Sequence, residues 1–433
     1  MPQRTFLADT ETPVSLFLTL AEGATHAALF ESVEGGERWA RRSLIALDAR
    51  ETFVAKTIED VRALFDRMPP PERVGSPLEG VFGWFSYEAA QAFLPVRDLP
   101  AGDGPVSEFF RPRAVLLYDH HKHTVELHTA DTAVEAAIVA RLAAPRTRAE
   151  IVEPPPASVR RQFSAADYRA RALRAKEYIA AGDAFQIVLS QKLTIPAPKS
   201  LFDAYRQLRR TNPSPYLYYV RTPTIEAAGA SPETLVRVED EMIRVRPIAG
   251  TRGRGATDKE DRALEAELLA DPKERAEHLM LVDLGRNDVG RVSEPGSVRV
   301  EPMMVVERYS HVMHIVSEVS GRLAKDKNAL EAFASVFPAG TLSGAPKKRA
   351  MEIIAELEGT PRGLYGGAVG YFSSRRSCDF AIAIRTISRR PGGEAVVQAG
   401  AGIVYDSEPE AENQECLRKA ASPLASVNAK VSE

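Results

Sequence analysis

Cysteine and tryptophan are both scarce in this chain of 433 residues, at two of each. Cys378 and Cys416 cannot form a disulfide scaffold, and neither sits in a C-x-x-C pair that would bind metal or cycle redox state. Both are expected to be reduced packing residues. No apolar run approaches the roughly 18 residues that a membrane span needs, and the opening MPQRTFLADTETP lacks the apolar core of a signal peptide. The expected location is the cytoplasm. An excess of charge is missing too: 56 lysines and arginines nearly balance 59 aspartates and glutamates, so no overall field draws the molecule to nucleic acid or an anionic membrane. A small-molecule substrate is the default. There is no internal repeat and no low-complexity tract. Gly400-Ala-Gly402 lacks the third glycine of a dinucleotide loop, Gly340-Thr-Leu-Ser-Gly344 lacks Walker spacing, and no G-x-S-x-G elbow exists.

A hydrophobic content of 44% is ample for a large core, and the length suits roughly two or three domains. Ala144 to Arg161 is the natural linker, because Pro154, Pro155 and Pro156 oppose both helix and ladder bonding. It separates an N-terminal region, 1–145, from a larger region, 160–425. In the first, Ala114 to Tyr118 and Thr124 to Leu127 read as a hairpin around Asp119 to His123. In the second, Ser164 to Asp167 opens a helix with Tyr168, Ala172, Ala175 and Ile179 on one stripe, ended by Gly182. Phe185 to Leu189 reads as a buried strand, and Ser200 to Asp203 opens another helix. Leu235 to Val238 and Met242 to Val245 form a hairpin across Glu239 to Glu241. Helices mixed with hairpins favour an α+β fold.

The chemistry concentrates in carboxylates. Asp271-Pro-Lys-Glu274 starts a helix running toward Leu284, on which Glu274 and Glu277 share a face with Leu281 and Leu284. Glu274 can serve its helix as a capping-box carboxylate, whereas Glu277 has no such use. Ser407-Glu-Pro-Glu410 reads as a second capping box, and the helix after it places Glu412, Glu415 and Lys419 within mutual reach. A solvated Glu415 to Lys419 salt bridge is the plain alternative. Two facing glutamate pairs repel unless a hard cation lies between them, and oxygen-only ligation suits Mg²⁺. Gly250 to Gly255, Gly340 to Gly344, Gly366-Gly367 and Gly400 to Gly402 each read as turns when taken singly, and together as backbone kept clear for a ligand. Arg385, within the apolar run Phe380 to Ile387, is a costly charge for a buried strand unless it meets an anion, and it is the leading substrate anchor. His311 and His314 precede a strand-like run and read singly as structural, and His120, His121, His123 and His128 read as a solvated loop cluster.

Taken in order, these segments resemble the chorismate-utilising enzymes, and most closely the large subunits of anthranilate synthases. The strings that carry the resemblance are Gly182-Asp-Ala-Phe-Gln-Ile-Val-Leu-Ser-Gln191, Asn212-Pro-Ser-Pro-Tyr216, Ser231-Pro-Glu233, Pro247-Ile-Ala-Gly-Thr251, Lys273 to His278 with Arg286-Asn-Asp288, Tyr309 to His314, Gly340 to Lys347, and Gly400 to Glu415. They span about 250 residues, and as an ordered set they are highly specific.

The resemblance implies an α+β sandwich of large antiparallel sheets with outer helices. It also implies a Mg²⁺-dependent lyase that converts chorismate and ammonia to anthranilate and pyruvate on the way to tryptophan. By the same resemblance, Glu277 and Glu415 match direct Mg²⁺ ligands, with Glu274 and Glu412 holding its waters. Tyr365, Arg385, Gly400, Gly402 and Lys419 match positions that receive substrate, and Thr251 and Thr341 line the same pocket. Glu233 matches the acid that protonates the departing C4 hydroxyl, and His314 the histidine of pyruvate elimination. Gln186 stands where water-adding relatives carry lysine, and Ala249 where many aminodeoxychorismate synthases carry a nucleophilic lysine, so amination at C2 is favoured. An aminodeoxychorismate synthase and a silent tryptophan-binding regulatory subunit are the alternatives. Neither cysteine lies in a G-x-C-x-G nucleophile, so a separate glutamine amidotransferase subunit is expected as ammonia donor. Leu29-Phe30-Glu31-Ser32, with Asn212, Pro213, Ser214, Pro215 and Tyr216, matches the segments that bind tryptophan as feedback inhibitor in relatives.

Overall fold

The computed structural model describes residues 3–32, 41–68, 70–72, 74–144, 154–309 and 312–431. His311 lies outside them.

Antiparallel pairing dominates. One run of strands passes from Gln3–Leu7 through Thr124–Thr129, Ser107–Asp119, Arg42–Ala55, Ala27–Glu31, Tyr216–Arg221, Glu226–Ser231, Thr386–Arg389 and Ala395–Ile403 to Gln186–Ile195. A second run leaves the first part of Ser107–Asp119, at residues 107–110 on the edge that Thr124–Thr129 uses further along, and continues through Val81–Phe85, Ala368–Ser374, Ser377–Ile382, Thr234–Glu239 and Met242–Val245 to Val319–Arg322. The two runs face each other across Phe82, Trp84, Phe110, Tyr218, Val369 and Ala381, all buried. Helices cover the outer faces through two larger apolar clusters, as the α+β sandwich requires. Ile248–Gly253, Val312–Val316 and Val305–Arg308 form a small separate sheet. Among the described residues, no helix is long and apolar enough to cross a membrane.

Sequences on both sides of the proline-rich stretch build these sheets. Ala27–Glu31 pairs with Tyr216–Arg221, and Val81–Phe85 with Ala368–Ser374. Of the stretch itself, 145–153 lie outside the described residues, Ala157–Ser158 pairs in parallel with Ala429–Lys430, and Arg160–Arg161 pairs with Leu193 and Thr194.

Most local signals took the expected form. The hairpin turn is held by Asp119, whose Oδ1 accepts from the backbone N–H of His121 and Lys122. Ser164 caps Ala165–Ala180 in a full capping box, and Tyr168, Ala172 and Ala175 are buried. Ser200 accepts from the Asp203 N–H at the start of Leu201–Thr211. Phe185 departs from expectation: the strand begins at Gln186, and the Phe185 ring is 73% exposed. Its place precedes the strand's alternation, so the pleat does not turn it inward.

Candidate active site

The helix Pro272–Gly290 starts as its sequence dictates. Asp271 accepts from the N–H groups of Lys273 and Glu274, with Pro272 in the first turn where no donor is needed. Glu274 does not complete a capping box. It pairs instead with Arg252, Nη1 to Oε1 3.1 Å, and the same guanidinium reaches Asp271 at 2.9 Å. One turn on, Glu277 is largely withdrawn from water and accepts only from the side-chain amide of Gln186, at 3.3 Å. Burial, then the neighbouring carboxylates Glu274 and Glu415, push its pKa up.

Around the C-terminal helix Pro409–Ala425 the expected capping box is absent. Glu408 is the N-cap residue, without a side-chain bond, and Ser407 donates instead to Glu412, Oγ to Oε1 2.7 Å. Pro409 explains the difference, since the first turn needs one fewer cap. Glu410, freed from capping, is paired with Arg169 and Gln414, and those bonds hold its pKa down at about 2. Glu415 meets Lys419 at 2.7 Å, and Lys419 also donates to the Gly400 carbonyl at 3.2 Å.

Four glutamates thus converge from two helices, each turned to its own partner. Among the described residues no group of three or more His, Cys, Asp or Glu side chains stands ready to hold a metal. The donor set nevertheless fits a hard divalent cation. Glu274 and Glu415 both raise Glu277, and Glu415 raises Glu412, so the cluster carries repulsion that a cation removes. Lys419 offsets part of it, lowering Glu277, Glu412 and Glu233.

Across the site, Glu233 follows the strand Glu226–Ser231, and Thr341 donates to it, Oγ1 to Oε1 2.9 Å. Burial outweighs that bond and lifts the Glu233 carboxyl to about 7. A small cavity of about 50 Å³ borders both residues. His314 lies on the strand Val312–Val316, with Nδ1 2.9 Å from the Gly250 carbonyl and 3.1 Å from Thr251 Oγ1. A carbonyl only accepts, so Nδ1 carries the proton and Nε2 is the bare nitrogen. Burial lowers its pKa.

Arg385 is not in a strand. It sits between Ser377–Ile382 and Thr386–Arg389 with φ +51°, a left-handed turn that takes it out of the ladder. No carboxylate pairs with it among the described residues, and burial lowers its pKa against the pull of Tyr365 and Glu415. Gly400 and Gly402 lie on Ala395–Ile403, opposite Ser190 and Val188. A Cβ at Gly400 would come within 2.8 Å of both the Leu189 carbonyl and the Tyr365 hydroxyl, which glycine alone admits, whereas one at Gly402 would meet only the end of the Gln186 side chain, at 2.7 Å.

Sequence reading missed what stands behind Tyr365. Arg362 is fully engaged: it binds Glu358 through Nε (2.9 Å) and Nη2 (2.6 Å), the Leu342 carbonyl through Nη1 (2.6 Å) and the Val188 carbonyl (2.7 Å). Its guanidinium carbon lies 5.5 Å from the centroid of the Tyr365 ring. Glu358 also accepts from Ser190 N and Oγ, both 2.8 Å. This ties the Thr341 turn, the Val188 strand and Tyr365 into one frame. The i,i+4 spacing of Glu358 and Arg362 is the signal that could have found it.

The inhibitor-type segments also meet. Ala27–Glu31 lies against Tyr216–Arg221, with Glu31 opposite Leu217, and Asn212 to Pro215 lead into that strand. Glu31 is buried and accepts from Arg209 Nε at 2.9 Å and from the Tyr205 hydroxyl. Ser214 donates to the Asn212 and Ala230 carbonyls, and Tyr216 to Asp379 at 2.7 Å. Ser32 follows Glu31 directly, and Pro213 stands between Asn212 and Ser214. Cys378 and Cys416 are buried free thiols, and burial pushes Cys416 up to about 12.

An antiparallel sandwich with an acid, a bare imidazole, an unpaired guanidinium and a carboxylate cluster joined through the fields of Lys419 and Glu415 defines a class that comparison identifies. Residues 25–425 match the family of chorismate binding enzymes, and the chain belongs to that family. It is 43% identical to anthranilate synthase component 1 of Acetivibrio thermocellus over 97% of this chain and 93% of that protein, and 44% identical to its counterpart from Pseudomonas putida over 95% and 92%. The crystal structure of anthranilate synthase component I from Streptococcus pneumoniae TIGR4 superimposes with a TM-score of 0.82 at 34% identity, covering 98% of this chain and 99% of that one.

Proposed function

We propose that the chain is the chorismate-converting subunit of an anthranilate synthase, releasing anthranilate and pyruvate from chorismate and ammonia. The observation that carries this reading is the Glu233 carboxyl, raised by burial, oriented by Thr341 and within the field of Lys419, whose partner Glu415 in turn acts on the unpaired Arg385.

Chorismate brings two carboxylates. Arg385, Tyr365 and Lys419 are the groups suited to one, Arg385 because it lacks any anion of its own. Glu277 and Glu415 are the residues that would hold Mg²⁺, with Glu274 and Glu412 outside them. Bound there, the ion supplies positive charge for the ring carboxylate. Glu233, in its protonated form, gives its proton to the C4 hydroxyl, which leaves as water while ammonia bonds to C2. Gln186 carries no ionisable group to activate water, so ammonia is the better nucleophile here. His314, neutral and bare at Nε2, is in the state that accepts a proton during the loss of the enolpyruvyl group as pyruvate. Thr251 steadies the imidazole.

Both cysteines are buried and neither can act as a glutaminase nucleophile. The ammonia donor is then a separate glutamine amidotransferase subunit. Tryptophan is the regulator expected at Glu31, Ser32 and Asn212 to Tyr216. In the test, purified chain is incubated with chorismate and Mg²⁺, with ammonium salt or with glutamine. Anthranilate fluorescence should appear with ammonium and not with glutamine alone. No fluorescence with saturating ammonium near neutral pH, or a C4-amino product on chromatography, removes this reading.

A further inference from the structure

A cavity of about 360 Å³, bordered by Tyr365 but by none of the four clustered glutamates, lies between Thr224–Ile225 and the Pro361–Tyr365 segment. Most of its charged groups have partners of their own. Arg362 is bound by Glu358 and Arg389 by Glu226 at 2.6 Å. Glu394 is held by Arg160 at 2.5 Å, and Glu88 accepts from the N–H of Arg362 at 2.7 Å and of Gly363 at 3.2 Å. Arg390 and Asp103 are exposed at the rim. Lys192 is half-buried, donates only to the Pro361 carbonyl, and has no ion pair among the described residues, with Glu88 and Glu358 attracting it from beyond contact. A half-buried ammonium that no carboxylate touches can still receive an anion at contact distance.

Two further groups on the cavity wall lack partners. Gln398 Nε2 donates to Ser190 Oγ at 2.8 Å, and Ser190 Oγ donates in turn to Glu358. Ser190 Oγ must therefore accept from Gln398, which fixes the amide and leaves Gln398 Oε1 a buried acceptor with nothing to accept. Trp84 Nε1 is a buried donor with no acceptor. Ile225, Leu364 and Val396 make much of the remaining wall apolar.

We propose that this cavity binds a small aromatic carboxylate bearing an N–H group: Lys192 and Trp84 receive the carboxylate, Gln398 Oε1 accepts the N–H, and the ring lies against Ile225, Leu364 and Val396. The ligand argued for is o-aminobenzoate, because the reaction proposed above forms it and Tyr365, a wall of this cavity, is also one of the residues proposed to receive chorismate. That choice of source rests on the reaction proposed above, whereas the chemistry of the cavity does not. Tryptophan has the same three features and is the second source to test.

The full chain, free of chorismate and Mg²⁺, is titrated with o-aminobenzoate, followed by the ligand's own fluorescence. Lys192→Met should weaken binding about tenfold or more and Gln398→Leu several-fold, while Arg385→Ala leaves it unchanged. Benzoate, which lacks the N–H, should bind more weakly than o-aminobenzoate to the unmodified chain and equally to Gln398→Leu. Tryptophan binding more tightly, with the same dependence on Lys192 and Gln398, assigns the cavity to the amino acid and keeps its chemistry. Binding lost only in Arg385→Ala, binding unaffected by Lys192→Met and Gln398→Leu, or no binding at all overturns the proposal. Turnover of chorismate by the unmodified chain reports separately on the lyase. Turnover without binding removes the cavity ligand alone, and binding without turnover removes the lyase alone.

Discussion

Arg362 and Arg385 are both withdrawn from water within the same part of the molecule, and they are opposites. Arg362 has a bidentate carboxylate and two carbonyls, so its charge is resolved by the chain itself. Arg385 has no such partner among the described residues. The difference separates framework from function. A protein retains an unresolved buried charge against its own stability, and that cost is understandable where a ligand completes the pair.

The contrast predicts divergent consequences. Arg385→Ala should lower kcat/KM for chorismate about a thousandfold, on the scale of one buried charge contact, with unfolding in urea unchanged or displaced to higher denaturant. Arg362→Met should instead cost about 3–5 kcal/mol of stability, because it strands Glu358 in the interior. If both variants lose the same property, the division fails. Glu233→Gln should lower kcat about a hundredfold or more at pH 6. Because burial raises this acid to about 7, its proton is present below that pH and lost above it, so ammonia-saturated kcat of the unmodified chain should fall as pH rises through about 7. The Gln variant should lack that limb. An identical profile in both removes Glu233 as the acid. The smallest loss, about tenfold in activity, is expected of Glu274→Gln, since Arg252 already resolves its charge and the proposal places it outside the direct ligands. Glu277→Gln and Glu415→Gln should nearly abolish turnover, and equal activity in all three variants removes the metal assignment.

Much of this was legible in residue order. Caps at Ser164, Ser200 and Asp271 and the hairpins depend on bonds within a few residues, so local sequence contains their cause. The sandwich and the site came through resemblance, since pairings such as Ala27–Glu31 with Tyr216–Arg221 leave no periodic trace. Local signals misled where a distant group competed. Glu274 has the spacing of a capping box, yet Arg252 takes it. Ser407 has the identity of a cap, yet Glu412 takes its hydroxyl. Arg385 reads as strand by its apolar neighbours, and only its left-handed φ removes it from the ladder. The cavity behind Tyr365 was invisible, because Lys192, Gln398 and Trp84 meet only through folding.

The pairing of Val81–Phe85 with Ala368–Ser374 has a consequence for synthesis of the chain. Phe82 and Trp84 leave the ribosome early, while the strand that pairs with theirs lies in the last fifth of the sequence. Until then a hydrophobic strand edge is open to other chains, a known route to aggregation. High contact order of this kind also slows folding. A fragment ending before Ala368 would carry that open edge permanently, which makes the end of the chain a requirement for the solubility of its beginning.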